Sequence, residues 1–256
     1  MKMILTILSA GTIIFSGCNK EEKKDTQITI QKKENSINKE EKIKIYSLDE
    51  LNNKFLIANK NNKTTKDALD KLKKVLNNIN ISIKYEKDYS LKKKLFELKC
   101  LTNYQLLRVY FIIGNNKKIE NKINELTKTL HFIKDKNIKI EILILIGKYN
   151  YIKEESKKGE TNLLEALSLF ENDKKLLKNK NKMMYTQKLN IYYTLLTIYK
   201  DLKNDEKIMR TYKKIISMLK KYKKILVDEN EIKNIKEKIE LVENDRKLYI
   251  EDKELE

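Results

Sequence analysis

The 256-residue chain contains no proline and no tryptophan, five glycines, two cysteines and a single histidine. Each shortage closes off a class of structure. Without proline, nothing forces a helix to break, so segment ends must be written by capping residues, asparagines and the few glycines. Glycines this sparse and widely separated cannot build a phosphate-cradling loop, which needs several within a few residues. The lone histidine, His131, sits in TLHFIK beside apolar residues. A Ser-His-Asp relay would have to use it, whereas a surface or part-buried position on a helix is its ordinary place. One histidine and two thiols also supply no ligand set with structural-zinc spacing. Carboxylates such as Glu154-Glu155 and Asp228-Glu229 are interleaved with lysines, as on solvated helix faces. The expectation is a chain with no catalytic group, no metal and no dissociable cofactor.

Arginine is scarce too. Of 56 basic residues only Arg108, Arg210 and Arg246 are arginine, and the balance against 37 acidic residues is a formal +19. Such a field favours acidic partners: phospholipid head groups, anionic cell-wall polymers or nucleic acid. Bidentate recognition of phosphates and bases prefers the planar guanidinium fork, so a lysine-dominated charge argues against nucleic acid. The lysines read mainly as solvated helix faces.

Long apolar runs are limited to one. Met1-Lys2-Met3 precedes ILTILSAGTII, Ile4 to Ile14, the layout of an export signal. Eleven residues at a helical rise span about 16 Å, roughly half a hydrocarbon core. The run ends in Phe15-Ser16-Gly17-Cys18. These four residues resemble the lipobox of bacterial lipoproteins, with small residues at Ser16 and Gly17 before the cysteine and Phe15 standing where leucine is usual. The resemblance implies cleavage between Gly17 and Cys18, a diacylglycerol on the Cys18 thiol, an acyl group on its amine, and a membrane-tethered protein of the cell envelope. Asn19, which is not the inner-membrane-retaining Asp, implies the outer membrane in a cell that has two. Removal of the signal leaves 239 residues with +18 on the side chains. It also leaves Cys100 as the one free thiol, so no intramolecular disulfide is expected. In LFELKCL, Cys100 reads as a small buried hydrophobe.

Residues 18–44 are polar and carry almost no apolar residue in helical register, so they read as a flexible tether. About 25 residues of such coil reach roughly 25 to 30 Å. An all-α domain is expected over residues 45–250. Ser47-Leu48-Asp49-Glu50 is a capping-box pattern opening a helix to about Ala58. Thr64 or Thr65 caps a second helix through Ala68, Leu72 and Val75, which Asn77-Asn78 is expected to end, leaving Ile79 to Tyr85 as loop. A long helix from Ser90 runs to Gly114, where Gly114-Asn115-Asn116 suits a left-handed helix end. Apolar stripes follow at Ile119 to Leu130, at Ile138 to Ile152 with a stop at Lys158-Gly159, and at Leu163 to Phe170. Leu189 to Tyr199 then faces Ile208 to Leu219 across Lys203-Asn204. A polar helix, about Glu229 to Tyr249, closes the chain.

The expected turns at Asn115, Gly159 and Asn204 are 44 and 45 residues apart, one helical hairpin per period, which is the mark of a stacked helical array. The last hairpin resembles a tetratricopeptide repeat. With Tyr192 at repeat position 4, Leu195, Tyr199 and Tyr212 fill the bulky positions 7, 11 and 24. The small positions 8, 20 and 27 carry Leu196, Ile208 and Ile215 instead, and Lys220 stands where proline is usual. The middle hairpin keeps Gly147 and Ala166 in another register, and the first matches at Tyr104, Leu107 and Phe111. The resemblance implies a TPR-like solenoid that binds a protein or peptide along its concave side. In the last hairpin that side would present Asn190, Tyr193, Thr197 and Lys200, a set offering an amide, an aromatic face, a hydroxyl and a cation. The run Tyr149-Asn150-Tyr151 would extend it. Two readings stay open: a non-catalytic interaction scaffold in the envelope, and a surface-displayed lipoprotein that contacts host components or anionic polymers.

The anchor is directly testable. Wild-type protein from cells partitions into the detergent phase in Triton X-114 extraction, whereas Cys18→Ser protein moves to the aqueous phase. A Cys18→Ser protein that stays in detergent removes the basis for the lipid anchor.

Overall fold

In the computed structural model the described residues are 45–60, 64–172 and 181–254. The lipobox, Cys18 and the tether lie outside them. Among the described residues the fold is all-α, with nine α-helices and one 3-10 turn, and no helix is long and apolar enough to cross a membrane. The chain divides into two compact units meeting at Lys134 and Asp135.

The first unit holds α1 (Leu48–Lys60), α2 (Thr65–Tyr85), α3 (Tyr89–Ile113) and α4 (Asn116–Thr129), followed by a 3-10 turn, Leu130–Phe132. Its helix starts are made by side-chain caps. The Ser47 backbone N–H donates to the Glu50 carboxylate at 3.0 Å, and Glu50 N–H returns to Ser47 Oγ at 3.3 Å, which closes the expected capping box. Thr64 Oγ1 accepts from Asp67 N–H at 3.1 Å. The expected end at Asn77-Asn78 does not occur. Ala68, Leu72, Val75, Ile79 and Ser82 are buried at alternating steps of four and three, so the stripe carries the helix past the two asparagines. Ser82 Oγ donates to the Tyr46 carbonyl at 3.1 Å. Asn77 is exposed and Asn78 half-buried, where their weak helix preference costs only a few tenths of a kcal/mol. Cys100 is buried in α3. His131 lies in the 3-10 turn, exposed, with its ring 4.0 Å from that of Phe132.

The second unit holds α5 (Lys136–Ile152), α6 (Ser156–Glu171), α7 (Lys182–Asp201), α8 (Asp205–Lys223) and α9 (Glu229–Glu254). Consecutive helices pack as antiparallel hairpins, α5 on α6 and α7 on α8, with α9 laid against α8 and α6 packed on α7. This is a stack of helical repeats. A second correction concerns Gly159. It does not end a hairpin but lies inside α6, and the turn is at Lys153–Glu155.

The turns α3–α4, α5–α6 and α7–α8 are built alike. A residue in the left-handed region, Gly114 at φ 68°, Glu154 at 63° and Lys203 at 52°, is followed by Asn115, Glu155 or Asn204. The N–H of that follower bonds back to the carbonyl of Tyr110, Asn150 or Tyr199, the six-to-one bond of a Schellman turn. Two of the three use a non-glycine residue there, which is why glycine was a poor guide to the middle turn.

Gly159 has a different task. A Cβ built on Gly159 would stand 2.8 Å from the Gly147 carbonyl oxygen, and one on Gly147 would stand 2.8 Å from Leu163 Cγ. Helices α5 and α6 therefore cross backbone to backbone, and the obstruction at Gly159 is a carbonyl that no side-chain rotation relieves. Gly159→Ala is expected to lower stability by about 1 to 3 kcal/mol, despite alanine's better helix propensity. Urea denaturation followed by circular dichroism checks this. A variant as stable as wild type would show that the two helices do not meet there.

Candidate functional site

The second unit contains an open groove of about 810 Å³ between α7 and α9, floored by α8. One wall is the α7 face carrying Thr186, Leu189, Asn190, Tyr193 and Leu196. These positions recur every three or four residues, so they form one stripe. The other wall is α9, through Asn234, Lys238, Leu241, Asn244 and Leu248, and Tyr212, Leu219 and Tyr222 come up from α8. Most of this lining is apolar. Leu241 and Leu248 are 69% and 59% exposed, although they sit two helical turns apart on a helix whose Ile235, Ile239 and Val242 are buried. Two large apolar side chains are thus left open to solvent along one slot.

The four residues expected from the sequence do not share one fate. Asn190 and Tyr193 line the groove. Tyr193 is half-buried, and burial raises its phenol pKa. Thr197 is exposed, does not line the groove, and donates its hydroxyl back to the Tyr193 carbonyl at 3.0 Å. Lys200 is committed within the protein, with Nζ 3.1 Å from Asp245 Oδ2 and 5.3 Å from the centroid of the Tyr212 ring. The same Asp245 oxygen accepts from the Tyr212 hydroxyl at 2.6 Å. Instead of waiting for a peptide carboxylate, Lys200 holds one supplied by α9.

The run Tyr149-Asn150-Tyr151 is spent on packing. Tyr149 is buried, Asn150 Nδ2 donates to Asn162 Oδ1 at 3.0 Å within the hairpin, and the Tyr151 hydroxyl donates to Asp201 at 2.6 Å. The last of these belongs to a series joining one hairpin to the next. Lys207 bonds Glu160 at 2.7 Å, Gln187 bonds Glu141 at 3.2 Å, and Tyr249 bonds Asp205. Lys182 pairs with Glu231 at the far end of the groove. Partners in this series lie 44 to 50 residues apart in sequence, the separation expected where successive hairpins stack.

The groove residues missing from the sequence reading are those of α9. Its strong charge hides a second apolar line, Leu241 and Leu248, spaced by seven, beside the buried line Ile235, Ile239 and Val242. Elsewhere, burial pushes the Cys100 thiol up to about 11, outweighing the hydrogen bond to Thr129, so it is protonated and inert near neutrality. Among the described residues no group of three or more His, Cys, Asp or Glu side chains is placed to hold a metal ion. No protein-family model matches the chain, and no curated protein matches its sequence.

The tyrosine bonds carry a pH dependence. Burial, then the hydrogen bond and charge of Asp201, push Tyr151 from 10.0 up to about 12. Tyr199 beside Glu160 and Tyr212 beside Asp245 move the same way. A pKa raised by folding gives stability that is full below the unfolded value and lost as pH rises through the folded one. The stability advantage of wild type over Tyr151→Phe is therefore expected to be constant up to about pH 9 and to shrink between about pH 10 and 12. Urea midpoints measured across that range check it, and an advantage that grows with pH would contradict the assignment.

Proposed function

We propose that the chain is a membrane-anchored lipoprotein of the bacterial cell envelope that acts without catalysis, holding a protein partner through the α7–α9 groove. The single observation that carries the reading is the open apolar slot itself, with Tyr193 on one wall and the exposed Leu241 and Leu248 on the other.

The tetratricopeptide likeness supports this reading further once the middle turn is placed at Lys153–Glu155. Gly147, Gly159 and Ala166 then stand at the small positions 8, 20 and 27 of one repeat, with Leu143, Ile146 and Leu163 at the bulky positions 4, 7 and 24. All six are buried. In the following hairpin Tyr192, Leu195, Tyr199 and Tyr212 are buried as the repeat requires. Asn190 and Tyr193, at the positions the repeat would turn to its concave side, are two of the five α7 residues that line the slot.

The occupant best matched to the slot is an amphipathic helix of the partner. The groove runs along two helices, and its apolar residues recur at helical spacing on both walls, so a third helix can lay an apolar ridge between them. Amides at Asn190, Asn234 and Asn244 suit its polar flank. Lys238 favours an acidic residue on that flank, since Glu231 and Asp245 are already held by Lys182 and Lys200.

A photo-crosslinking amino acid placed at Leu241 of the full lipoprotein in living cells is expected to give a discrete protein adduct. The adduct should be lost with Tyr193→Glu and absent when the crosslinker replaces Leu164, which is exposed on α6 outside the groove. Leu241→Ala should weaken the recovered complex about tenfold or more and change stability by no more than about 0.5 kcal/mol. Equal labelling from Leu241 and Leu164 would rule the groove out.

A further inference from the structure

A second depression, of about 480 Å³, lies between α8 and α9 away from the apolar slot. Lys213, Lys220 and Lys221 project into it from α8, Lys224 from the residue that caps the end of α8, and Arg246 enters from α9. The lysines fall at steps of seven, one and three, so helical geometry brings them to one side. Against five cations there is one carboxylate, Glu243, which pairs with Lys220 at 2.9 Å. Among the described residues no carboxylate lies within ion-pair distance of Lys213, Lys221, Lys224 or Arg246. Elsewhere in the unit some exposed lysines are neutralised across helices, as Lys207 is by Glu160 and Lys182 by Glu231. Here four cations without a carboxylate of their own share one depression.

Arg246 adds a second and independent sign. Its Nε is buried and has no hydrogen-bond partner. A buried guanidinium N–H left unmatched is costly, and an anion that accepts from it would offset that cost. The positive field also reaches α7. Burial lowers the pKa of Lys188; Glu171 acts against the change, and the charges of Lys221 and Lys214 add to it.

We propose that this depression is an oxyanion site that binds a phosphoryl group, with the Arg246 fork as its orienting donor and Lys213, Lys221 and Lys224 neutralising the charge. A guanidinium gives paired, directed N–H bonds to a phosphate, and the ammonium groups follow its charge at any orientation. Ser217, on the same face, adds a hydroxyl. The chemistry is common to a phospholipid head group and to a soluble phosphate compound. It is independent of the apolar groove, so either site can fail without the other.

The test uses the full-length protein purified in dodecyl maltoside, with inorganic pyrophosphate as one probe and mixed micelles containing phosphatidic acid as the other, both read by titration calorimetry. Binding is expected with at least one probe. Pyrophosphate alone identifies a soluble ligand, and tighter binding to phosphatidic acid identifies a head group; either supports the site. Arg246→Gln should weaken binding about tenfold or more, and Lys221→Gln with Lys224→Gln should do likewise. Both sets of positions are at least partly exposed, so folding is retained, with thermal melts as the check. Lys236→Gln, an exposed α9 lysine outside the depression, should change affinity less than twofold. Absence of binding to both probes, or an equal loss in Lys236→Gln and Arg246→Gln, overturns the proposal, the latter outcome reducing it to a diffuse surface field.

Discussion

Asp245 is the residue on which the architecture of the second unit turns. One of its oxygens takes the Tyr212 hydroxyl from α8 and the Lys200 ammonium from α7. A single carboxylate thereby ties the last helix to both members of the hairpin before it. The apolar seam of Ile235, Ile239 and Val242 brings α9 to α8, but a seam of three residues leaves the helix free to roll about its own axis. The bond from Tyr212, together with those of Lys182 to Glu231, Lys220 to Glu243 and Tyr249 to Asp205, fixes the roll. Once it is fixed, Leu241, Asn244 and Leu248 face the slot toward α7, and Glu243 and Arg246 face the lysines on the other side of α8. Two surfaces of opposite chemistry thus follow from how α9 is set against α8.

The two surfaces also divide the charge of the chain in an informative way. A formal +19 spread evenly over a helical protein would be a solvated coat. Across the second unit, however, lysines and tyrosines find carboxylates on neighbouring helices, and those bonds connect hairpins. Exposed pairs of this kind add little stability individually. Their value here is register, because each pair matches one position of a helix to one position of its neighbour. Part of the residual charge lies where α8 presents lysines without acidic partners.

Helix type, and the ends written by Ser47, Thr64, Gly114 and Asn204, were legible because side-chain caps and left-handed ends act within one turn and leave local marks. The loop reading of Ile79 to Tyr85 failed because an alternating apolar pattern over seven residues looks the same for a short loop and for the end of a helix whose Ile79 and Ser82 continue a stripe. The middle turn was misplaced for a related reason. Glycine serves both a left-handed φ and a close backbone approach, and a single sequence does not say which. Gly114 does the first and Gly159 the second. At the candidate groove, Asn190 and Tyr193 followed from repeat register. The commitment of Lys200 to Asp245, 45 residues away, is a tertiary fact with no local trace. The apolar face of α9 was present in the sequence as Leu241 and Leu248 but submerged in its charge.

The contrast between bonding inside hairpins and between them bears on how the protein would respond to force. Within a hairpin, α5 and α6 meet backbone to backbone at Gly147 and Gly159, and the packing of α6 on α7 is far less extensive. Between hairpins, the apolar contact of α6 on α7 is supplemented by hydroxyl and ammonium bonds to carboxylates at the surface, such as Tyr151 to Asp201 and Lys207 to Glu160. A pull along the chain would therefore part hairpin from hairpin before it opened any hairpin, and salt would soften the joints while leaving the hairpins stiff.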